Sequence, residues 1–219
     1  MYNVGEIDPD ALFPKGSAPH GRSTRAPATG TNGMVASAHP YASRAGLDVL
    51  RDGGNAIDAA VAVASTLNIA EPYMSGVGGI GIALIYIAKE RRTRVLNFSG
   101  HAPNAAKPEM YNHLNAETGP ISPLVPGNVS GWMTMHDTYG SLPLSRVMRD
   151  AIKYADEGIA LTPFNADMVE ENLQRIDRFD TSQKAMIVER DGLSAGSVLR
   201  IPQLAETLST ISEGGQKEF

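Results

Sequence analysis

Hydrophobic positions along this chain alternate between helical and strand-like spacing. After Pro40, the run Ala42 to Arg51 places apolar residues at Ala45, Leu47, Val49 and Leu50, the rhythm of a helix, and Gly53-Gly54 stops it. A second helix is expected to start at once. Asn55 is placed to cap it, and Asp58 falls in its first turn, where the positive end of the helix dipole favours a carboxylate. From Ala56 to Leu67 the positions are apolar nearly all round and mostly small, which predicts a buried helix that neighbours can approach closely. Gly81 to Ala88 and Arg94 to Phe98 are β-rich runs joined by a charged turn, the pattern of a hairpin. Leu144, Val147, Met148, Ala151, Ile152 and Ala155 form an amphipathic stripe opened by Pro143 and closed by Gly158. Further helices are predicted over Val129 to Tyr139, Phe164 to Ile176 and Pro202 to Ser212. Short strands are predicted at Met34 to Ala38 and around Ala185 to Glu189.

The stretches between these elements have a different composition. Residues 14 to 33 are rich in Pro, Gly, Ser and Thr, bury little apolar surface and read as an extended arm. Pro103 to Leu124 is polar and broken by prolines at 103, 108, 120 and 123, a long loop with room for one helical turn. There is no internal repeat.

Composition narrows the function. The formal charge of -5, with no basic run beyond the turn Lys89 to Arg94, argues against nucleic acid as a partner. There is no cysteine, hence no disulfide and no thiolate site. Met1 to Phe13 carries Glu6, Asp8 and Asp10 and lacks an apolar run, so it does not read as a secretory signal. A cytoplasmic chain is expected, or a periplasmic or secreted one if the sequence is recorded after processing. The longest apolar segment, Ala59 to Ala70, is too short to span a bilayer, so no membrane association is expected.

Three candidate chemistries have weak support. Gly76, Gly78 and Gly81 satisfy G-x-G-x-x-G, but a helix precedes them and a strand follows, the reverse of a dinucleotide site. These glycines read instead as permitting unusual backbone angles and close packing where the buried helix turns into the strand. The histidines at 20, 39, 101, 113 and 136 show no ligand spacing, so neither a metal nor another cofactor is expected. His136 reads as a half-exposed helix residue and His39 as a packing residue at a strand end. No G-x-S-x-G elbow is present.

The strongest signal lies in motif order. Gly53-Gly54-Asn55-Ala56-Ile57-Asp58-Ala59-Ala60-Val61-Ala62 is followed by Glu71-Pro72, then Ser75-Gly76-Val77-Gly78-Gly79-Ile80-Gly81, then a strand reaching Tyr86. This series resembles the signature of the gamma-glutamyltranspeptidase family, whose pattern runs GGNAxDAAxA and then EPxxSGxGGGG. Val125-Pro126-Gly127, Tyr139 to Pro143, and Ala151 to Gly158 extend the resemblance over most of the chain. It implies an α+β chain contributing to the four-layer αββα sandwich of the N-terminal-nucleophile hydrolases. On that basis the organisation expected is an extended N-terminal arm, 1–33, and a partial domain, 34–219, whose continuation is missing.

In such enzymes a precursor cleaves itself, and the new N-terminal Thr of the small subunit attacks an amide carbonyl while its own α-amine accepts the proton. The Thr-Thr-His or Thr-Ser-His run that carries this Thr occurs nowhere here. The resemblance therefore implies part of a large subunit, with no catalytic residue of its own, a small subunit as partner and a small-molecule amide as substrate. The chain, ending at Glu218-Phe219, is then expected to be a fragment or one product of a split precursor. The family's FRExAP segment corresponds to Phe98-Ser99-Gly100-His101-Ala102-Pro103, which makes Ser99, Gly100 and His101 the candidate substrate-binding residues. Ser99 stands where the family's Arg pairs with the α-carboxylate of a γ-glutamyl group. A serine cannot neutralise that charge. Gamma-glutamyl amides, other amides of the cephalosporin-acylase or oxamate-amidohydrolase kind, and a non-catalytic scaffolding role all remain open from the residues alone.

Overall fold

The computed structural model describes residues 28–113, 115–185, 187–188 and 194–219. Of the expected arm, residues 1–27 lie outside the described residues, while 28–33 form neither helix nor strand and are exposed. From Val35 onward the chain forms a unit of its own.

Helix α1 (Pro40–Arg51) is followed by α2 (Ala56–Ala70), the strands β1 (Gly81–Ile87) and β2 (Arg92–Phe98), then α3 (Asn128–Tyr139) and α4 (Leu144–Glu157). Next come β3 (Ile159–Ala160), α5 (Pro163–Ile176), α6 (Asp180–Ala185), β4 (Ile187–Val188), β5 (Val198–Arg200) and α7 (Pro202–Gly214). The buried helix begins as expected. The Asn55 side chain accepts from the N–H groups of Ile57 and Asp58, and the Asp58 carboxylate accepts from the Asn55 N–H, a reciprocal capping box. Its small residues let α1 lie close: a Cβ on Gly46 would come within 2.7 Å of Val63 and 3.3 Å of the Ala59 carbonyl oxygen. Helix α2 packs between α1 and α4, and α7 closes over α4.

The hairpin is antiparallel, with Gly81 opposite Phe98 and Ile87 opposite Arg92. Its inner face, Ala83, Ile85, Ile87, Leu96 and Phe98, joins a core built on Val61, Trp132, Met133 and Met148. A second core patch gathers Ile69, Ile159, Leu161, Leu199 and Ile201. There β5 pairs with both β3 and β4 in a small antiparallel sheet.

Two expectations need correction. Met34 to Ala38 forms no strand, because among the described residues neither sheet provides a neighbour to complete its ladder. His39 is therefore not at a strand end. It caps α1, its Nδ1 accepting from the Tyr41 N–H at 3.3 Å and its Nε2 meeting Asn165 Oδ1 at 2.9 Å. The strand expected around Ala185 to Glu189 is present at Ile187–Val188, and its neighbours 186 and 189 lie outside the described residues. Among the described residues no helix is long and apolar enough to cross a membrane.

Candidate functional site

The end of β2 is fixed by one aromatic ring. Phe98 occupies space that three glycines leave free: a Cβ on Gly81 would lie 2.5 Å from its ring, one on Gly131 would run into the same ring, and one on Gly127 into its carbonyl oxygen. With Phe98 held, the chain turns outward through Ser99, Gly100 and His101. Gly100 takes a φ of 73°, a left-handed conformation that disfavours any residue with a Cβ. This turn lets the His101 carbonyl accept from the Val125 N–H at 3.0 Å. The Asn97 side chain completes the turn by accepting from the Ser99 N–H at 3.0 Å.

The glycine-rich loop before β1 is clamped to the start of α3. The Gly79 carbonyl accepts from the N–H groups of Gly127 and Asn128, at 2.9 and 3.0 Å, and Asn128 Nδ2 donates to the Gly76 carbonyl at 2.8 Å. A Cβ on Gly79 would meet that Nδ2 at 2.6 Å, whereas around Gly76 and Gly78 there is nothing within 4 Å. None of these three glycines has a positive φ. The unusual backbone angles expected of Gly76, Gly78 and Gly81 are therefore not found, and the close packing expected of them holds at Gly81, against Phe98, and not at Gly76 or Gly78; Gly79 adds a second close approach.

Ser99, Gly100 and His101 line one cavity of about 380 Å³. Its other walls include Asn97 and three residues of α3, Ser130, Gly131 and Thr134. With Gly127, these three are spaced i, i+3, i+4, i+7, so they share one face of the helix. That spacing is readable in the sequence, yet nothing there says that the face turns toward β2. Gln216 Nε2 donates to Ser130 Oγ at 3.1 Å, tying the C-terminal turn to the same wall. Among the described residues no Lys, Arg, Asp or Glu lines the cavity, and His101, exposed at the rim, is the ionisable group. The lining can donate and accept neutral hydrogen bonds but offers no permanent countercharge for an anion. His136, read as half-exposed, is more enclosed and turns away into the structure, its Nε2 meeting the Leu142 carbonyl at 2.9 Å. Among the described residues no three His, Asp or Glu side chains converge as a metal site requires.

With a capped buried helix, a glycine-rich loop and a hairpin in this order, the architecture is that of an N-terminal-nucleophile hydrolase in part, and the comparisons are consistent with one family. The sequence profile described as gamma-glutamyltranspeptidase matches residues 42–219, and the chain belongs to that family. The glutathione hydrolase proenzyme of Bacillus subtilis (strain 168) is 33% identical over 198 residues, covering 87% of this chain and 34% of that protein. The acylase ACY 1 proenzyme of Pseudomonas sp. (strain V22) is 38% identical over 175 residues, 74% of this chain and 31% of that protein. The crystal structure of Helicobacter pylori gamma-glutamyltranspeptidase superposes with a TM-score of 0.81 at 33% identity, covering 88% of this chain and 58% of that one. The chain thus spans about a third of the length of the curated relatives it matches. Its α+β fold is part of the fold of those enzymes.

Proposed function

We propose that this chain is part of the large subunit of a two-subunit amide hydrolase or acyltransferase, and that it shapes the pocket for an acyl donor lacking a free α-carboxylate. The Thr that attacks the amide belongs to a second polypeptide. Its hydroxyl adds to the carbonyl, its α-amine takes the proton, the amine leaves, and water or another amine then accepts the acyl group.

The observation that carries the donor assignment is the neutral lining around Ser99. A carboxylate brought into that cavity loses hydration, and a serine hydroxyl returns one neutral hydrogen bond where a guanidinium would return two charge-assisted ones. A donor with a neutral acyl group meets no such deficit. The 38% identity to a protein named as an acylase is in keeping with this reading.

Two features support a second polypeptide. The outer face of the hairpin presents Ile82, Leu84, Tyr86 and Val95, each 64 to 74% exposed, as one apolar surface. The open space beside Gly76 and Gly78 adjoins the strand that carries it.

The test uses the complete, self-cleaved enzyme and its Ser99→Arg variant, each assayed with a γ-glutamyl anilide and a neutral acyl anilide. The wild type should favour the neutral donor. The variant should shift the ratio of kcat/KM values toward the γ-glutamyl donor by about tenfold or more, since a charge-assisted hydrogen bond contributes about 1.5 to 3 kcal/mol. A wild type that prefers the γ-glutamyl donor, with a ratio unmoved in the variant, would show that another residue holds the carboxylate and would overturn the assignment.

A further inference from the structure

A second cavity plays no part in the site above. It has a volume of about 520 Å³, within the range of roughly 300 to 1,000 Å³ typical of small-molecule pockets, and it shares no lining residue with the Ser99 cavity. Its body is apolar, formed by Pro72, Met168, Val169, Ile176 and Phe179. Arg178 lies over the Phe179 ring, 5.7 Å from its centroid, and holds that wall in place.

Two groups at this cavity are suited to donate to an anion. Arg175 lines it and makes no ion pair or hydrogen bond among the described residues. Tyr73 lines it too, and its hydroxyl oxygen accepts from Asn165 Nδ2 at 2.5 Å, which leaves the hydroxyl proton free to donate. Asn165 is itself buried and held by His39 Nε2 at 2.9 Å, so the tyrosine is fixed from behind. Burial raises the Tyr73 pKa despite the Asn165 hydrogen bond, and the charge of Glu71 adds to the rise, so the phenol stays a donor at neutral pH. Among the described residues no Asp or Glu lines the cavity.

We infer that the cavity between α5, α6 and the Pro72-Tyr73 turn binds a small amphipathic carboxylate, its apolar body against Phe179 and Ile176 and its carboxylate on Arg175 and the Tyr73 hydroxyl. The apolar walls take a short acyl chain or an aryl ring, and the unpaired guanidinium selects an anion over its neutral amide. Pro72 and Tyr73 lie between α2 and the glycine-rich loop, so the ligand would sit beside the segment that leads into that loop.

The probes are octanoate and phenylacetate with their neutral amides, titrated into residues 1–219 by calorimetry and saturation-transfer NMR. At least one carboxylate should bind with a Kd below about 1 mM, and its amide more weakly. Arg175→Gln should weaken the carboxylate about threefold to tenfold and leave the amide unchanged, the size expected of a partly exposed ion pair. Thr181→Trp or Thr118→Trp, each at a position that lines the cavity, should abolish both by filling the space, with the melting temperature of at least one of the two variants unchanged. Absence of binding by any probe, binding that persists in a folded filled variant, or equal affinity for acid and amide would each overturn the inference.

Discussion

The carboxylate of Asp58 ties together pieces of backbone far apart in sequence. It is fully buried and accepts from the Asn55 N–H at 2.9 Å, from the Ser141 N–H at 3.1 Å and from Ser141 Oγ at 2.6 Å. Burial alone would raise its pKa, but hydrogen bonds from the Ser141 side chain and from the backbone at Asn55, Ser141 and Leu142 outweigh it and hold the group below its ordinary value. A depressed carboxylate stabilises the fold above its unfolded pKa, and that contribution fades as pH falls through the folded one. Asp58→Asn should therefore cost about 1 to 3 kcal/mol near neutral pH, and the gap to wild type should narrow below about pH 4, as urea titrations at several pH values would show. A gap that stays constant into acid would mean that the charge is not what the turn recognises. Gly79 and Gly78 make a second contrast at this scale. Gly79→Val has to displace the Asn128 amide and should lower stability by about 1 to 3 kcal/mol, while Gly78→Val projects into open space and should leave the melting temperature of this chain nearly unchanged. Equal losses at both positions would remove the clamp between the loop and α3 as the explanation.

The hairpin divides into two faces with different tasks. Its inner residues belong to the core, so Ile85→Ala should cost about 2 to 4 kcal/mol in thermal or chemical unfolding. Its outer residues are exposed, so Leu84→Lys should change stability by less than about 0.5 kcal/mol in the isolated chain. A large loss in the second variant would show that the outer face is packed after all. This hairpin was legible because β1 is an unbroken β-rich run and the turn is charged. The capped buried helix was legible because Asn55 and Asp58 sit where a capping box requires them. Elements held by tertiary pairing were not. Ile159–Ala160 has too few residues to show a period and exists as a strand through pairing with Val198–Arg200. The short helix Asp180–Ala185 is polar up to Ala185 and gives no apolar stripe to read. Conversely, Val35 and Ala36 look strand-like, but a strand without a neighbour has nowhere to place its hydrogen bonds. The same limit applies to the site. Ser99, Gly100 and His101 could be named from a motif, whereas Ser130 and Thr134 reach them through a helix whose facing no local pattern encodes.

At the scale of the whole molecule, the apolar hairpin face and the neutral cavity both fit the proposed second polypeptide. An apolar surface of this kind is costly to leave in water, and its four side chains lie on the one sheet whose edge strand also leads into the Ser99 turn. A polypeptide packed there would stand beside the cavity and could bring its N-terminal Thr to a donor seated in it. On the proposed reading residues 1–219 alone should show no turnover of any acyl anilide, since the attacking Thr is assigned to the second polypeptide. Mixing or co-expressing them with the Thr-bearing polypeptide of the same enzyme should produce a complex and activity together. Leu84→Lys in that pairing should prevent both, although the variant chain itself folds normally. The decisive measurements are anilide hydrolysis and size-exclusion mass on the same samples: turnover by the pure chain would refute the two-polypeptide reading, and a normal complex with Leu84→Lys would place the interface elsewhere.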